Sequence, residues 1–397
     1  MMKPVLTVAW FSFFPVEWLP DVPPEVQALP RLHPATWQRV LLAEFEKRSD
    51  LRLHILVVRK QFPRTFSFER NGVTFHLLKA PAGFRAPSLF WVDTLLVRRV
   101  LRVVKPDLAH AWGTDQGAAL IAARLPYPHL VTIQGLYSWA REVGPVNKHE
   151  LLASWVERRC LPRAPLITTE STFSADYLRR KFAPKEVMQI EHAPDPVFQS
   201  VQRRPRLAPR RFLFIGRFES RKGADVLLRA LDRLKGEMEF DLLIVGRSGG
   251  PLYDSLRQEL SAELWQRIQF KQNLSSQQVA AELAEATLMI YPTLLDVSPN
   301  TVKEAVVAGV PVVASAVGGI PDYVVPGENG VLFEAGNVEA CLRAVREACA
   351  HPQFGRGAVR EETHRRMREY LSPERMGRRF WEAYQKVHQP SLAAKVL

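Results

Sequence analysis

Two cations and two carboxylates, each placed just after an apolar run, are the residues of this chain best able to do chemistry together. Phe212-Leu-Phe-Ile-Gly216-Arg217-Phe-Glu-Ser-Arg-Lys222-Gly223 reads as a buried strand that breaks at Gly216, followed by a helix over Ala224–Leu234. One such turn can aim Arg217 and Lys222 at a diphosphate, the first as a bidentate donor and the second as a point charge. Downstream, Asp296 precedes Glu304 by eight positions in Asp296-Val-Ser-Pro-Asn-Thr-Val-Lys-Glu304. Leu288–Tyr291 suits a buried strand, Ser298 suits the cap of the next helix, and Pro299 fits its first position, where a missing N–H costs nothing. The unpaired N–H groups around Asn300, Thr301 and Val302 would then face out of the carboxyl end of a parallel sheet. That is where a helix dipole favours an anion, and a phosphate is the natural guest. Gly309 stops this helix, and Val310 to Ala314 read as the next buried strand.

These groups need a scaffold of alternating strands and helices, and the chain supplies the rhythm. Its 397 residues suffice for about two domains, and 47% hydrophobic with 10% aromatic content excludes a disordered chain. Helices are expected at 35–47, 90–104, 116–123 and 148–159, strands at 51–58, 108–112, 130–134 and 166–169, and a hairpin-like pair at 66–78. This is the pattern of a doubly wound α/β domain. Composition breaks at Arg203-Arg-Pro-Arg-Leu-Ala-Pro-Arg-Arg211, after which the alternation restarts. The expected division is a first domain over 1–202, a linker at 203–210, a second domain over 211–372, and a final helix and tail over 373–397. Phe380, Trp381 and Tyr384 fall on one side of that last helix, as aromatic anchors would.

The Gly216-Arg217-x4-Lys222-Gly223 turn, the acidic-x7-Glu helix, the run Ala308-Gly309-Val310-Pro311-Val-Val-Ala314 and the stretch Gly318 to Gly330 resemble the retaining nucleotide-sugar glycosyltransferases of family 4, group 1. Order and spacing agree over roughly 211–335. The resemblance implies a GT-B fold: two facing Rossmann-like doubly wound domains, a reaction cleft between them, and a terminal helix returning to the first. It implies that Arg217 and Lys222 neutralise the diphosphate leaving group and that Glu304 accepts from the ribose hydroxyls. Asp296 and the loop Ser298–Thr301 would hold the donor sugar, with Gly216 at the strand end. The donor would be a UDP- or GDP-sugar and the acceptor a glycan or lipid-linked molecule, as in surface-polysaccharide or glycolipid assembly. No cofactor is implied, and no Asp-x-Asp metal motif occurs in the chain, so no metal is expected. A nucleotide-sugar epimerase of the same fold and a non-catalytic sugar- or membrane-binding paralogue are the alternatives. Taken singly, Glu304 also reads as an ordinary helix-surface carboxylate and Lys222 as a solvated cation.

The first domain departs from the family pattern. Arg31-Leu-His33-Pro-Ala-Thr36-Trp37 stands where members often carry a Gly-Gly loop, and Gln134 stands where many carry a histidine that touches the donor sugar. Asp296 itself replaces the usual Glu and is one methylene shorter. His33 and Gln134 are candidate acceptor or sugar contacts. His110, at the end of Leu108–Trp112, reads equally as a ligand contact and as a hydrogen-bonded core histidine.

The net charge of +13 predicts anionic partners. Residues 1–195 hold 26 Lys/Arg against 18 Asp/Glu, a net of +8, and the remainder holds 28 against 23. Trp91–Lys105 would form an amphipathic helix with an edge of Arg98, Arg99, Arg102 and Lys105. That edge reads either as a membrane-facing surface or as the solvated side of a sheet-covering helix. No nucleic-acid motif appears, so nucleic acid is not expected as a partner. Cys160, Cys341 and Cys349 lack disulfide or metal spacing and fit reduced thiols. Val5–Phe14 lacks a small-residue cleavage site and reads as a first buried strand rather than a signal peptide. The expected location is the cytoplasm, with peripheral attachment at the inner face of the cytoplasmic membrane as the alternative.

Overall fold

The computed structural model describes residues 5–393, with the side chains of 390–393 left aside. The chain forms two α/β units, one running to His192 and taking back the segment from Pro373 onward, the other Ala193–Ser372. The first unit holds an eight-stranded sheet: β1 (Leu6–Phe11), β2 (Leu51–Arg59), β3 (Phe66–Arg70), β4 (Val73–Lys79), β5 (Leu108–Trp112), β6 (His129–Ile133), β7 (Leu166–Thr169) and β8 (Val187–Gln189). Their order is β3-β4-β2-β1-β5-β6-β7-β8, parallel throughout except for the β3/β4 hairpin at the edge. The second unit holds six parallel strands: β9 (Arg210–Ile215), β10 (Phe240–Val245), β11 (Ile268–Lys271), β12 (Leu288–Tyr291), β13 (Val312–Ser315) and β14 (Gly330–Phe333). They are ordered β11-β10-β9-β12-β13-β14. Sheets covered on both faces need strands that are apolar on both sides, and Phe212 to Phe214 and Leu288 to Ile290 are accordingly all buried.

Strand order fixes where the chemistry falls. In the second sheet β9 and β12 are neighbours, although 72 residues of chain separate Ile215 from Leu288. Their carboxyl ends, and therefore the turns carrying Lys222 and Asp296, open side by side.

The stretch 203–210, expected to be a linker, is instead built into the second unit. The Arg203 guanidinium donates to the carbonyls of Ala286 (2.6 Å) and Gly357 (2.8 Å), and the backbone N–H groups of Arg204 and Arg206 donate to Ala284 and Glu285. A Pro/Arg composition reads as unstructured, but arginines that satisfy orphan carbonyls at a helix end are structural. The boundary lies at His192, ten residues before the expected one. Helices at Tyr137–Val143 and Thr172–Phe182, and the short strand β8, were not among the expected elements.

The terminal helix, Pro373–Ala393, packs on the helix Thr36–Glu46 and on the first sheet. Phe380 and Tyr384 are fully buried, and Trp381 lies against the Arg48 guanidinium, 3.8 Å from its ring centre. The Tyr384 hydroxyl accepts from Trp10 Nε1 (2.7 Å) and lies 2.8 Å from His110 Nδ1. Because the phenol already accepts from the indole, its own proton goes to Nδ1. His110 Nε2–H then donates to Thr132 Oγ1 at 2.6 Å, and Thr132 bonds onward to Thr168 at 2.5 Å. Burial pushes the His110 imidazole well below its ordinary basicity, which keeps it neutral within this chain. Removing the Tyr384 hydroxyl leaves the indole N–H and the imidazole nitrogen unpaired. We expect Tyr384→Phe to cost about 1–3 kcal/mol, lowering the first unit's thermal midpoint by about 3–10 °C; an unchanged midpoint in circular dichroism would show that the network contributes nothing.

Candidate donor site and its relatives

Lys222 ends a short 3-10 turn, Ser220–Lys222, that leads into the helix Ala224–Leu234. Gly223 joins them at φ +73°, and a Cβ there would lie 1.9 Å from the Pro292 carbonyl oxygen, so only glycine lets this turn settle on the end of β12. The contact is secured by Leu294 N–H and Thr293 Oγ1, which both donate to the Arg221 carbonyl, at 2.9 and 3.1 Å. The Lys222 ammonium is thereby held 2.5 Å from Asp296 Oδ2 and 3.0 Å from the Tyr291 hydroxyl. Tyr291 in turn donates to Asp296 Oδ2 over 2.9 Å. Burial, followed by the Asp296 charge, holds the Tyr291 phenol well above its ordinary range, so it remains a donor at neutral pH. Tyr291 escaped the sequence reading because it closes an apolar strand and there passes for a core aromatic.

Asp296 is fixed from its other side by the glycine pair. Gly318 has φ +56°, and a Cβ on it would lie 1.8 Å from the Asp296 carbonyl oxygen, while Gly319 N–H donates to the Val297 carbonyl (2.9 Å). The expected cap at Ser298 is not formed. Its hydroxyl pairs with the Tyr323 hydroxyl at 2.8 Å, and the helix runs over Asn300–Val307 with Pro299 at the cap position, so it starts one residue later than expected. The preceding loop is held to Tyr323, so Ser298 Oγ is turned from the helix. Asn300 and Thr301 are partly exposed, whereas Val302 is fully buried and can offer a ligand only its N–H. Thr301 Oγ1 is buried.

Glu304 lies in the same helix, with part of its surface open to solvent. Burial pushes its carboxyl up to about 7, and Asp195 adds to the shift against the opposing Lys303 ammonium. Asp195 caps the turn Pro196–Ser200 by accepting from Val197 N–H (3.1 Å), and its influence on Glu304 had no sequence signal. Arg217 behaves differently from Lys222. Its side chain is 75% exposed and lies 3.3 Å from Glu219 Oε1, so the two cations share a turn but not a partner. Gly216 follows β9, its N–H donating to Val245 and its carbonyl packed so tightly on Gly246 that a Cβ there would sit 2.2 Å away. Among the described residues no cluster of three His, Cys, Asp or Glu could hold a metal ion.

The first-unit candidates are scattered. His110 is corrected to a core histidine, since both ring nitrogens are spent inside the Tyr384–Thr132 chain and the ring is wholly buried. Sequence alone could not reveal a partner 274 residues away. His33 Nδ1 accepts from Ala35 N–H at 3.1 Å, and its ring packs 5.6 Å from Trp37. Gln134 carries a buried Nε2 without a hydrogen-bond partner, as do the indole nitrogens of Trp37 and Trp112. Those two rings flank His192, at 6.0 and 5.8 Å.

Comparison with known proteins agrees with this construction. Residues 18–191 match the glycosyl transferase 4-like domain and residues 198–371 match glycosyl transferases group 1, one model for each unit. A glycogen synthase of Mycobacterium tuberculosis is 25% identical over 78% of this chain and 75% of its own length. A GDP-mannose-dependent phosphatidylinositol monomannoside mannosyltransferase of Mycolicibacterium smegmatis is 30% identical over 54% of this chain and 62% of its own. Among solved structures, sucrose-phosphate synthase from Thermosynechococcus elongatus superposes with a TM-score of 0.78 at 18% identity, covering 97% of this chain and 100% of that one. Anabaena HepE, solved in complex with UDP and glucose, gives 0.68 at 15% identity, over 96% of this chain and 100% of that one. With one unit matched by each model and the GT-B fold found across nearly the whole length, the chain belongs to the family-4-like, group 1 glycosyltransferases.

Proposed function

We propose that this glycosyltransferase moves a hexose-type sugar from a UDP- or GDP-sugar, with retention of configuration and without a metal ion, onto a glycan or lipid-linked acceptor. Surface-polysaccharide or glycolipid assembly at the cytoplasmic face is the setting that suits it. The observation that carries the reading is the meeting of Lys222 with Asp296 at 2.5 Å. In a nucleotide sugar the sugar carbon is bonded directly to a phosphate oxygen. A cation for the phosphate and a carboxylate for the sugar hydroxyls must therefore stand within a few ångströms of each other, and here they do. The helix start at Asn300 adds N–H groups for the same diphosphate. The names of the relatives fit both donor types, one using GDP-mannose and another having been solved with UDP and glucose.

The chain's own groups then divide the work. Lys222 and the helix start receive the charge that develops as the sugar–phosphate bond breaks, and exposed Arg217 is free to swing onto the same phosphates. Asp296 orients the sugar, and Glu304 takes the ribose hydroxyls. The acceptor hydroxyl forms its bond to the anomeric carbon on the face the leaving group departs from, and its proton passes to the departing phosphate oxygen.

Alanine at Lys222, or at Lys222 and Arg217 together, should lower turnover by about 10²-fold or more while the protein stays folded, its thermal midpoint lowered only by the few degrees or so that loss of the Lys222–Asp296 pair costs; double-variant turnover within a few-fold of the parent rejects the assignment. Glu304 gives a pH-dependent test. Its carboxyl titrates near 7 in the fold rather than at the usual 4.5. The free protein therefore gains stability from this group at low pH and loses it as pH rises through about 7, by about 1–3 kcal/mol. Its affinity for a nucleoside diphosphate should rise between pH 6 and 8 as the carboxylate forms. In Glu304→Gln both trends should vanish and affinity should fall at pH 8. Calorimetric titrations that show parallel profiles for the two proteins would remove Glu304 from the ribose.

A further inference from the structure

On the first unit, which carries none of the candidate donor residues of the second, a cavity of about 560 Å³ is lined by Trp91, Trp155, Arg124, Arg159, Arg163 and Cys160, among others. Its charges are one-sided. Arg124 donates to the Leu89 carbonyl (2.7 Å) and to Thr94 Oγ1 (3.3 Å), with its guanidinium 4.2 Å from the Trp91 ring centre, and Arg163 donates to the Arg159 carbonyl (3.1 Å). Among the described residues no carboxylate pairs with any of the three. All three act on the same sulfur: burial pushes the Cys160 thiol up to about 11 against their combined opposite pull. Like charges gathered around one hollow repel, and an entering anion would reverse that cost.

The rim is apolar where a soluble-protein surface would ordinarily be polar. Along the helix Trp91–Val104, residues Trp91, Leu95, Arg98 and Arg102 form one exposed stripe, with both apolar members 53% exposed. The helix Lys148–Cys160 repeats the arrangement with Leu151, Trp155 and Arg159 at successive i, i+4 positions, all exposed. The acid on the first helix, Asp93, is buried and paired with Arg85, so it does not offset the basic edge. A free phosphate-bearing solute would need the arginines but not four exposed tryptophans and leucines. Aromatic and aliphatic side chains beside arginines match the chemistry of a bilayer interface, apolar below and anionic above. Among the described residues no helix is long and apolar enough to cross a membrane, so any contact by these helices would be with its surface.

We propose that this face docks on an anionic lipid bilayer, with a lipid phosphate headgroup seated among Arg124, Arg159 and Arg163 while Trp91, Leu95, Leu151 and Trp155 enter the interfacial layer. The site is independent of the donor chemistry and stands or falls apart from it.

The test is sedimentation with phosphatidylcholine vesicles, with and without phosphatidylglycerol, at about 0.05 and about 0.5 M salt. The parent protein should pellet with the anionic vesicles at low salt, be released at high salt and ignore the neutral ones. Arg159→Glu combined with Arg163→Glu should weaken the anionic binding by about tenfold or more. Trp91→Ala with Trp155→Ala should weaken it too and remove the vesicle-induced blue shift of tryptophan emission. Nucleoside diphosphate affinity should be unchanged in both variants. Should the charge reversal unfold the protein, Arg163→Gln, on an exposed turn, serves in its place with a smaller loss. Absence of pelleting at low salt, or pelleting of the arginine variant equal to the parent, overturns the proposal. So does competition by free glycerol 3-phosphate at the affinity shown for vesicles, which would make this a site for a soluble anion.

Discussion

Lys222 keeps its ammonium in place through Asp296 and Tyr291, and the rest of the donor site is arranged around that contact. Both charged side chains are largely withdrawn from water, 20% and 15% exposed, so neither is comfortable without the other. Breaking a fully buried pair costs about 3–5 kcal/mol, and this partly exposed one costs less, but enough to hold a flexible lysine in one geometry. In the proposed reaction, a lysine already held there in the free protein would leave little reorganisation for the moment when charge appears on a leaving phosphate. Tyr291 matters as the neutral third member. It gives Asp296 a second donor without adding charge, and so keeps one carboxylate oxygen occupied on the lysine side.

The contact in turn depends on backbone that only glycine can supply. Gly223 brings the lysine turn down onto Pro292, and Gly318 brings the second glycine loop against Asp296 from the other side. A Cβ at either place would overlap a backbone carbonyl oxygen, at 1.9 and 1.8 Å, so a larger residue would force the turns apart. The parallel order β9-β12-β13 makes these three turns neighbours, so the sheet supplies the proximity and the glycines supply the closeness.

Most of the second unit was legible in the chain because its strands are buried on both faces. Leu288–Tyr291 and the helix Ala224–Leu234 fall where their apolar patterns put them, and Lys222 meets Asp296 at the ends of neighbouring strands. Illegible features depend on partners that are distant in sequence. The Tyr291 hydroxyl becomes part of the site only because Lys222 and Asp296 reach it from two loops. Ser298 looked like a helix cap until Tyr323 claimed its hydroxyl. His110 could not be told from a ligand contact without Tyr384, and Arg203 looked like linker until the carbonyls it caps were visible. In the first unit, the helix Thr172–Phe182 begins with Ser171 and Ser174 bonding each other's backbone, a capping box whose serine at the third position lacks the usual Glu or Gln signal. The exposed stripe on Trp91–Val104 was readable as amphipathic, but the second stripe and the cavity beside it needed the fold.

The account's central claim is that Lys222 serves the phosphate next to the sugar. The most direct measurement is the ratio of affinities for a nucleoside diphosphate and the matching monophosphate, by calorimetry, in the parent protein and in Lys222→Ala. The account predicts a preference for the diphosphate in the parent that falls by about tenfold or more in the variant, with monophosphate binding little changed. A preference that survives intact would contradict it.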